Sequence, residues 1–501
     1  MKKLLLLILF CPFIVKAHTR TEEVLKGDSI SITLNLLKGG KESINISTPI
    51  NGCFFIGEFA SLKTDENGKL KVKLPLDSSG LCQVWLNYLP WVGRTICIQI
   101  YAEPGDKFEI TLEKGQEFET VYFKGDHVTE NEFLNSFERY TVDYSGDSEH
   151  LNSLMLKGDV GSFLDTLQSL ENTELKALTA FKMRTNASKR FLSLLREDIR
   201  YYYAQLFLVG WDVKSQTLKN QTDSSRIQNW NQALLNSFQR TNIECVDALG
   251  SFWYNHYKNI SWPRYFENAM KQIVESPKEE VDELVYNLIS KHFSGITKEQ
   301  HLAYTINKNA LKNKFSNTIQ SQFQRFQKDY PSSPFLPALL RSFEEVLEFQ
   351  DHNTANEVKI ENGTVSNLEE LSSKYPGKLL YIDIWATWCG PCKKEFEHPH
   401  KNLDSFVRKN KIQQVYISID DPSKLDVCSQ IIQFYSLKGG HYLANESLIE
   451  ALQNSLNKGK SFPIPRYIIV GPNGNILETN AYRPSSGNLL IEQLEKHLKK
   501  K

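Results

Sequence analysis

The sequence predicts a multidomain protein with an N-terminal antiparallel β-sandwich, a central all-α region and a C-terminal α/β domain. Three observations carry this reading. Short β-branched and aromatic runs broken by turn residues fill the first quarter of the chain. The apolar period then changes to helical, and strand-like and helix-like segments alternate towards the end. At 501 residues the chain is too long for one ordinary core.

The chain begins Met1-Lys2-Lys3, followed by the apolar run from Leu4 to Val15 and then Lys16-Ala17-His18. This pattern predicts a signal peptide over 1–17, cleaved after Ala17, and hence export to the periplasm. The run is too short for the ~20 apolar residues of a membrane-spanning helix, so contact with a membrane is expected only through an uncleaved signal segment. Cys11 follows Phe10 where a lipoprotein signal has a small residue, so lipid attachment is not expected. Losing Lys2, Lys3 and Lys16 from the 59 basic residues leaves 56 against 59 acidic ones. A chain so balanced has no overall field to gather polyanions, which argues against nucleic acid as a partner.

The sandwich is expected over 18–126, with strands at Ser29–Leu36, Cys53–Ser61, Leu70–Leu76, Cys82–Tyr88, Thr95–Tyr101 and Lys107–Glu113. Asn67-Gly68 and Pro104-Gly105-Asp106 supply turns between them. Cys82 and Cys97 stand nearly symmetrically about Leu89-Pro90, as facing residues of a hairpin would, and are candidates for a disulfide. Buried free thiols are the equal alternative.

The helical region is expected over 127–349, with breaks at Trp262-Pro263 and between Pro331 and Pro334. Tyr201, Tyr202, Tyr203, Trp211, Trp230, Trp253 and Trp262 recur at helical spacing without basic interleaving. That pattern reads as core rather than a stacking platform. A polar linker is expected over 350–363, and the α/β domain over 364–501. Within it, strands are expected at Leu379–Trp385, Gln414–Ile419, Arg466–Val470 and Ile476–Thr479. The helices are Pro391–Asn410, Pro422–Tyr435, Glu446–Leu456 and Asn488–Lys500.

The chemistry is carried by Trp388-Cys389-Gly390-Pro391-Cys392. Cys-x-x-Cys at a strand-to-helix junction puts the first sulfur among the unpaired N–H groups at the positive end of a helix. The thiolate is the attacking species, so Cys389 is expected to be an exposed nucleophile and Cys392 the resolving thiol. Lys393 and Lys394 read as a solvated helix face. Zinc would need a second closely spaced pair or histidines at ligand spacing, and His398 and His400 do not supply it, so neither metal nor cofactor is expected.

The segment from Tyr381 to Glu395, YIDIWATWCGPCKKE, resembles the active site of the TlpA/ResA class of the thioredoxin superfamily. The resemblance covers about 360–501 and implies a thioredoxin fold and thiol:disulfide oxidoreductase activity. It also implies partners: disulfide-bearing exported proteins as clients and a membrane thiol as electron donor. Asp383 matches the buried acid that takes the proton of the resolving cysteine, a role that burial favours by raising a carboxyl pKa. Glu395, three residues after Cys392, matches a glutamate placed beside the dithiol. Pro465 matches the substrate-facing cis-proline, with Pro463 competing for that place. The proline that many relatives carry five residues after the second cysteine is Glu397 here, and Lys438 to His441 read as an insertion.

Gly-Pro between the cysteines leans the expected activity towards reduction or isomerisation of disulfides rather than oxidation. A thiol peroxidase would want proline and threonine or serine where Ile382 and Ala386 stand. The remaining alternative makes the first ~350 residues a client-binding or assembly module with an accessory redox domain.

Overall fold

A computed structural model describes residues 29–37, 40–57, 59–89, 94–113, 120–137, 159–218, 224–266, 269–352, 358–397 and 403–499. The expected signal segment, Cys11, His398, Pro399 and His400 lie outside them. The chain divides into two compact units, one of residues 1–307 with 325–339 and the other of residues 308–324 with 340–501.

In the first unit eight strands form two four-stranded sheets. Strands β1 (Ser29–Leu37), β4 (Lys69–Pro75), β7 (Lys107–Glu113) and β8 (Thr120–Gly125) make one, in the order β4-β1-β7-β8. Strands β2 (Ser43–Ser47), β3 (Phe59–Lys63), β5 (Gly80–Leu89) and β6 (Arg94–Ala102) make the other, in the order β3-β2-β5-β6. Alternate residues such as Ile30, Ile32 and Leu34 point inward to meet Ile44, Val84 and Ile98 in a dry core.

The structure corrects the purely antiparallel expectation, because β1 pairs with β7 in parallel, Ile32 opposite Phe108. Strands β2 and β8 are additional, and Cys53 precedes β3 in a tight turn closed by the Ile50–Cys53 bridge. The Cys82–Cys97 pairing is also corrected: among the described residues, the five cysteines outside the Cys389–Cys392 pair are free. Cys82 lies opposite Ile100 and Cys97 opposite Trp85, so the hairpin is offset from the symmetric register. The two thiols therefore stand on opposite faces of the sheet.

Gly125, with φ of 103°, ends β8, and a β-carbon added there would come within 2.0 Å of the Lys107 carbonyl oxygen. Gly125→Ala is therefore expected to lower stability by roughly 1–3 kcal/mol, read as an earlier urea midpoint with an unchanged m-value.

Helices follow from Val128 onwards. Tyr201 packs edge-on to Tyr254 at 4.8 Å and Tyr202 to Trp253 at 4.9 Å, all four rings buried. Pro263 does not break its helix at Trp262, which runs from Phe252 to Tyr265. Pro263 has no N–H to donate to the Asn259 carbonyl, so the helix forgoes one hydrogen bond there and ends two residues later.

The second unit holds a six-stranded sheet in the order β14-β13-β10-β11-β12-β9. These strands are β9 (Ile360–Asn362), β10 (Leu380–Trp385), β11 (Gln413–Ser418), β12 (Gly440–Leu443), β13 (Arg466–Val470) and β14 (Ile476–Glu478). Strands β9 to β12 are parallel, and β13 and β14 are antiparallel additions at the other edge. Lys438 to His441 are thus not a plain insertion, since Gly440 and His441 open β12 beside β11. Likewise β9 forms inside the stretch read as a linker.

Every residue of β10 is buried, as expected of a central strand covered on both faces. Ile382 and Ile384 point to one face, where Leu448 and Leu452 of the Glu446–Asn457 helix cover them. Tyr381, Asp383 and Trp385 point to the other by alternation. There the Gly390–Glu397 helix supplies Phe396, and Leu425–Phe434 supplies Cys428 and Ile431. Phe315 and Val346, from the helical stretches of this same unit, complete that apolar cluster.

Candidate active site

Strand β10 ends at Trp385, and a short turn in which Cys389 N–H donates to the Ala386 carbonyl leads into the Gly390–Glu397 helix. Pro391 lies in the first turn, where its missing N–H costs nothing. Cys389 and Cys392 are joined in a disulfide, with α-carbons 5.3 Å apart. The Cys392 backbone N–H donates to Cys389 Sγ at 3.2 Å. This is the helix-terminus arrangement that favours negative charge on that sulfur.

Cys389 keeps 4% of its surface and Cys392 none, so the expectation of an exposed nucleophile is corrected: in the disulfide state the first sulfur is only the more accessible of two buried ones. Trp388 beside it is 59% exposed. The peptide bond before Pro465 is cis and the one before Pro463 is not, and Ile464 packs against the cluster containing both cysteines.

Asp383 is buried on the β10 face that the Gly390–Glu397 helix covers, between Tyr416 of β11 and Tyr467 of β13 in register. Its Oδ1 and the Tyr467 hydroxyl are both buried without a hydrogen-bond partner. Burial pushes its carboxyl up to about 8; the nearby Tyr467 hydroxyl lowers it and the Glu395 charge raises it further. A carboxyl oxygen left unpaired inside an apolar strand is costly to bury.

Glu395 is buried too, which rules out a surface role. Ser485 engages both its oxygens, through N–H at 3.0 Å and through its hydroxyl at 2.9 Å, and Arg483 lies 3.9 Å away. The carboxylate thus ties the active-site helix to the turn before the last helix.

Lys393 is not on a solvated face. It is buried, and its Nζ donates to the Thr387 carbonyl at 3.0 Å. Burial, and then the like charge of Lys314, pull its amine down to about 8, with Asp420 and Glu397 opposing. Three residues that sequence reasoning passed over complete the surroundings: Thr387, Asp420 and Cys428. A signal existed for Asp420. Because β10 and β11 are parallel with Trp385 opposite Ser418, two further steps along each strand bring Thr387 level with Asp420. Among the described residues no group of three or more His, Cys, Asp or Glu side chains is placed to hold a metal ion.

Residues 352–488 match the family model described as Redoxin. The thiol-disulfide oxidoreductase ResA of Geobacillus kaustophilus is 25% identical over 130 residues, 26% of this chain and 67% of the relative. The C-terminal domain is a TlpA/ResA-like thiol:disulfide oxidoreductase domain of the thioredoxin superfamily. Thioredoxin-1 of Caenorhabditis elegans is 31% identical to it over 71 residues, 13% of this chain and 52% of that protein. Among solved structures, a thiol:disulfide interchange protein from Bacteroides sp. is 20% identical, covering 25% of this chain and 74% of its own, with a TM-score of 0.20. The chain spans about half to two thirds of the length of the curated relatives it matches. The thioredoxin-like domain is thus the part of the chain to which these likenesses apply. No helix among the described residues is long and apolar enough to cross a membrane.

Proposed function

We propose that this protein is an exported thiol:disulfide oxidoreductase that reduces or isomerises disulfides of periplasmic proteins through Cys389 and Cys392. The observation that carries the reading is the Cys392 N–H on Cys389 Sγ at the start of a helix, which favours the thiolate where attack begins. The lysine-led apolar run before Ala17 supports export.

In the reduced protein, the Cys389 thiolate attacks one sulfur of a client disulfide, and the client's other sulfur departs as a thiolate that takes a proton from solvent. Asp383 as carboxylate accepts the Cys392 proton. The Cys392 thiolate then attacks Cys389 Sγ, the mixed disulfide breaks, and the client's second sulfur departs as a thiolate that takes a proton from solvent, so the client leaves fully reduced. Two electrons have passed to the client and the Cys389–Cys392 disulfide remains. A membrane thiol donor returns the domain to its dithiol state. Asp383 suits its part because burial holds its carboxyl near the pH at which it must exchange a proton.

The deciding measurement is the reduction potential of the Cys389/Cys392 couple against glutathione. A value near about −270 mV is expected for a reductant, and one near about −120 mV would make the protein an oxidant and overturn the reductant assignment.

A further inference from the structure

We propose that Asp420 is a positioning residue for the dithiol, holding the Ala386–Cys389 turn through Thr387 so that Cys389 Sγ stays on the Cys392 N–H. This rests on the thiol-exchange reading above. Asp420 is buried at the end of β11 and grips Thr387 twice, accepting from its N–H at 2.7 Å and its hydroxyl at 2.8 Å. The grip is itself anchored: Ser418 donates its hydroxyl to Asp420 Oδ2 at 2.6 Å and accepts from the Asp420 N–H at 3.1 Å. From the other side Lys393 donates to the Thr387 carbonyl at 3.0 Å, so Thr387 is fixed through N–H, hydroxyl and carbonyl at once.

Thr387 lies two residues before Cys389, in the turn closed by the Cys389 N–H to Ala386 carbonyl bond. A loosened Thr387 lets that turn rotate and takes the sulfur off the helix terminus. Nearby carboxylate charge also helps keep a lysine inside: Asp420 and Glu397 both favour its charged form, against burial and Lys314. The third thiol of the cluster, Cys428, donates to Asp420 Oδ2 at 3.7 Å, and burial pushes it up to about 12. It therefore stays protonated beside the network and does not compete for exchange.

Two roles for Asp420 predict opposite signs. As a mere buried anion near the dithiol it would hinder formation of the Cys389 thiolate, and Asp420→Asn would speed alkylation of Cys389. As a positioning residue, its replacement slows it. The test uses the full chain, reduced, with iodoacetamide labelling of Cys389 followed by mass spectrometry at neutral pH, and the couple's potential against glutathione. Thr387→Val keeps the shape and the Asp420 charge and deletes only the hydroxyl bond.

Expected results are Cys389 labelling slower by about tenfold in both Thr387→Val and Asp420→Asn. The exchange equilibrium should shift about tenfold, or about 30 mV, towards negative potential, since a destabilised thiolate disfavours the reduced form. Thr387→Ser, which restores the hydroxyl, should return both values to those of the unmodified chain. Unchanged labelling and potential in Thr387→Val, or faster labelling in Asp420→Asn, overturns the positioning role. An unmodified chain with no reversible dithiol couple would instead defeat the proposed function, while the labelling comparison would still decide the role of Asp420.

Discussion

Replacing Cys389 by serine is expected to lower the rate of disulfide exchange by roughly three orders of magnitude or more, because outside the pair no thiol among the described residues is favoured as a thiolate. The remaining described thiols are poor substitutes. Burial raises Cys53 to about 11 and both Cys82 and Cys428 to about 12, and Cys97 well above its ordinary value. Cys392→Ser should behave differently. Attack through Cys389 proceeds, the resolving step is missing, and the client stays bound through one sulfur. Turnover of a model disulfide substrate measured beside non-reducing gels separates the two variants: neither turns over, but only Cys392→Ser accumulates a mixed disulfide that dithiothreitol releases. Trapped adducts on Cys389→Ser, or free turnover by Cys392→Ser, would reverse the assigned order of the two sulfurs.

The second large effect belongs to Asp383. Its carboxyl is raised from the ordinary 3.8 to about 8 in the folded chain, chiefly by burial. A group whose folded pKa lies above its unfolded one favours the fold most at low pH. Its contribution is present in full below about 4, shrinks as pH rises, and is gone once pH passes about 8. Asp383→Asn removes this slope. The variant should match the unmodified chain in stability near pH 4 and exceed it by roughly 2–5 kcal/mol above pH 8, where the native side chain is forced to carry a buried charge. Urea midpoints of the two oxidised proteins at both pH values read the difference directly, and a constant difference across pH would contradict a protonated buried acid. The same variant should slow resolution of the mixed disulfide by roughly 10²-fold near neutral pH, since Cys392 loses its proton acceptor.

Much of this site was legible before any coordinates, and the reason is local. Cys389, Cys392 and their place between a strand and a helix follow from a run of residues whose spacing fixes their geometry. Asp383 was visible because a single charge interrupts an otherwise apolar strand. Lys393 was misread because its meaning depends on what lies across from it: a lysine near a helix start is usually solvated, and besides Glu397 one turn on, it is the Thr387 carbonyl and Asp420, outside the helix, that make a buried one tolerable. Glu395 was placed on the right helix, but its engagement by Ser485, ninety residues on, is a long-range fact that spacing does not encode. The sandwich was read strand by strand where alternation is strong. It failed at β2, whose two isoleucines sit among serines and asparagine, and at the parallel β1–β7 pair, which no local pattern distinguishes from an antiparallel one.

The apolar cluster around the disulfide sets where the redox part of this protein could be cut. Phe315, in the turn between two helices, and Val346, in the Leu336–His352 helix, belong to it although they lie upstream of the recognisable redox sequence, and the chain between 325 and 339 belongs to the other compact unit. The redox part is therefore not a cassette bounded by one cut. A recombination event that carried off residues 358–501 alone would leave two side-chain-sized gaps behind the disulfide. A change of size at Phe315 or Val346 would therefore be felt in the same packed cluster that holds the dithiol.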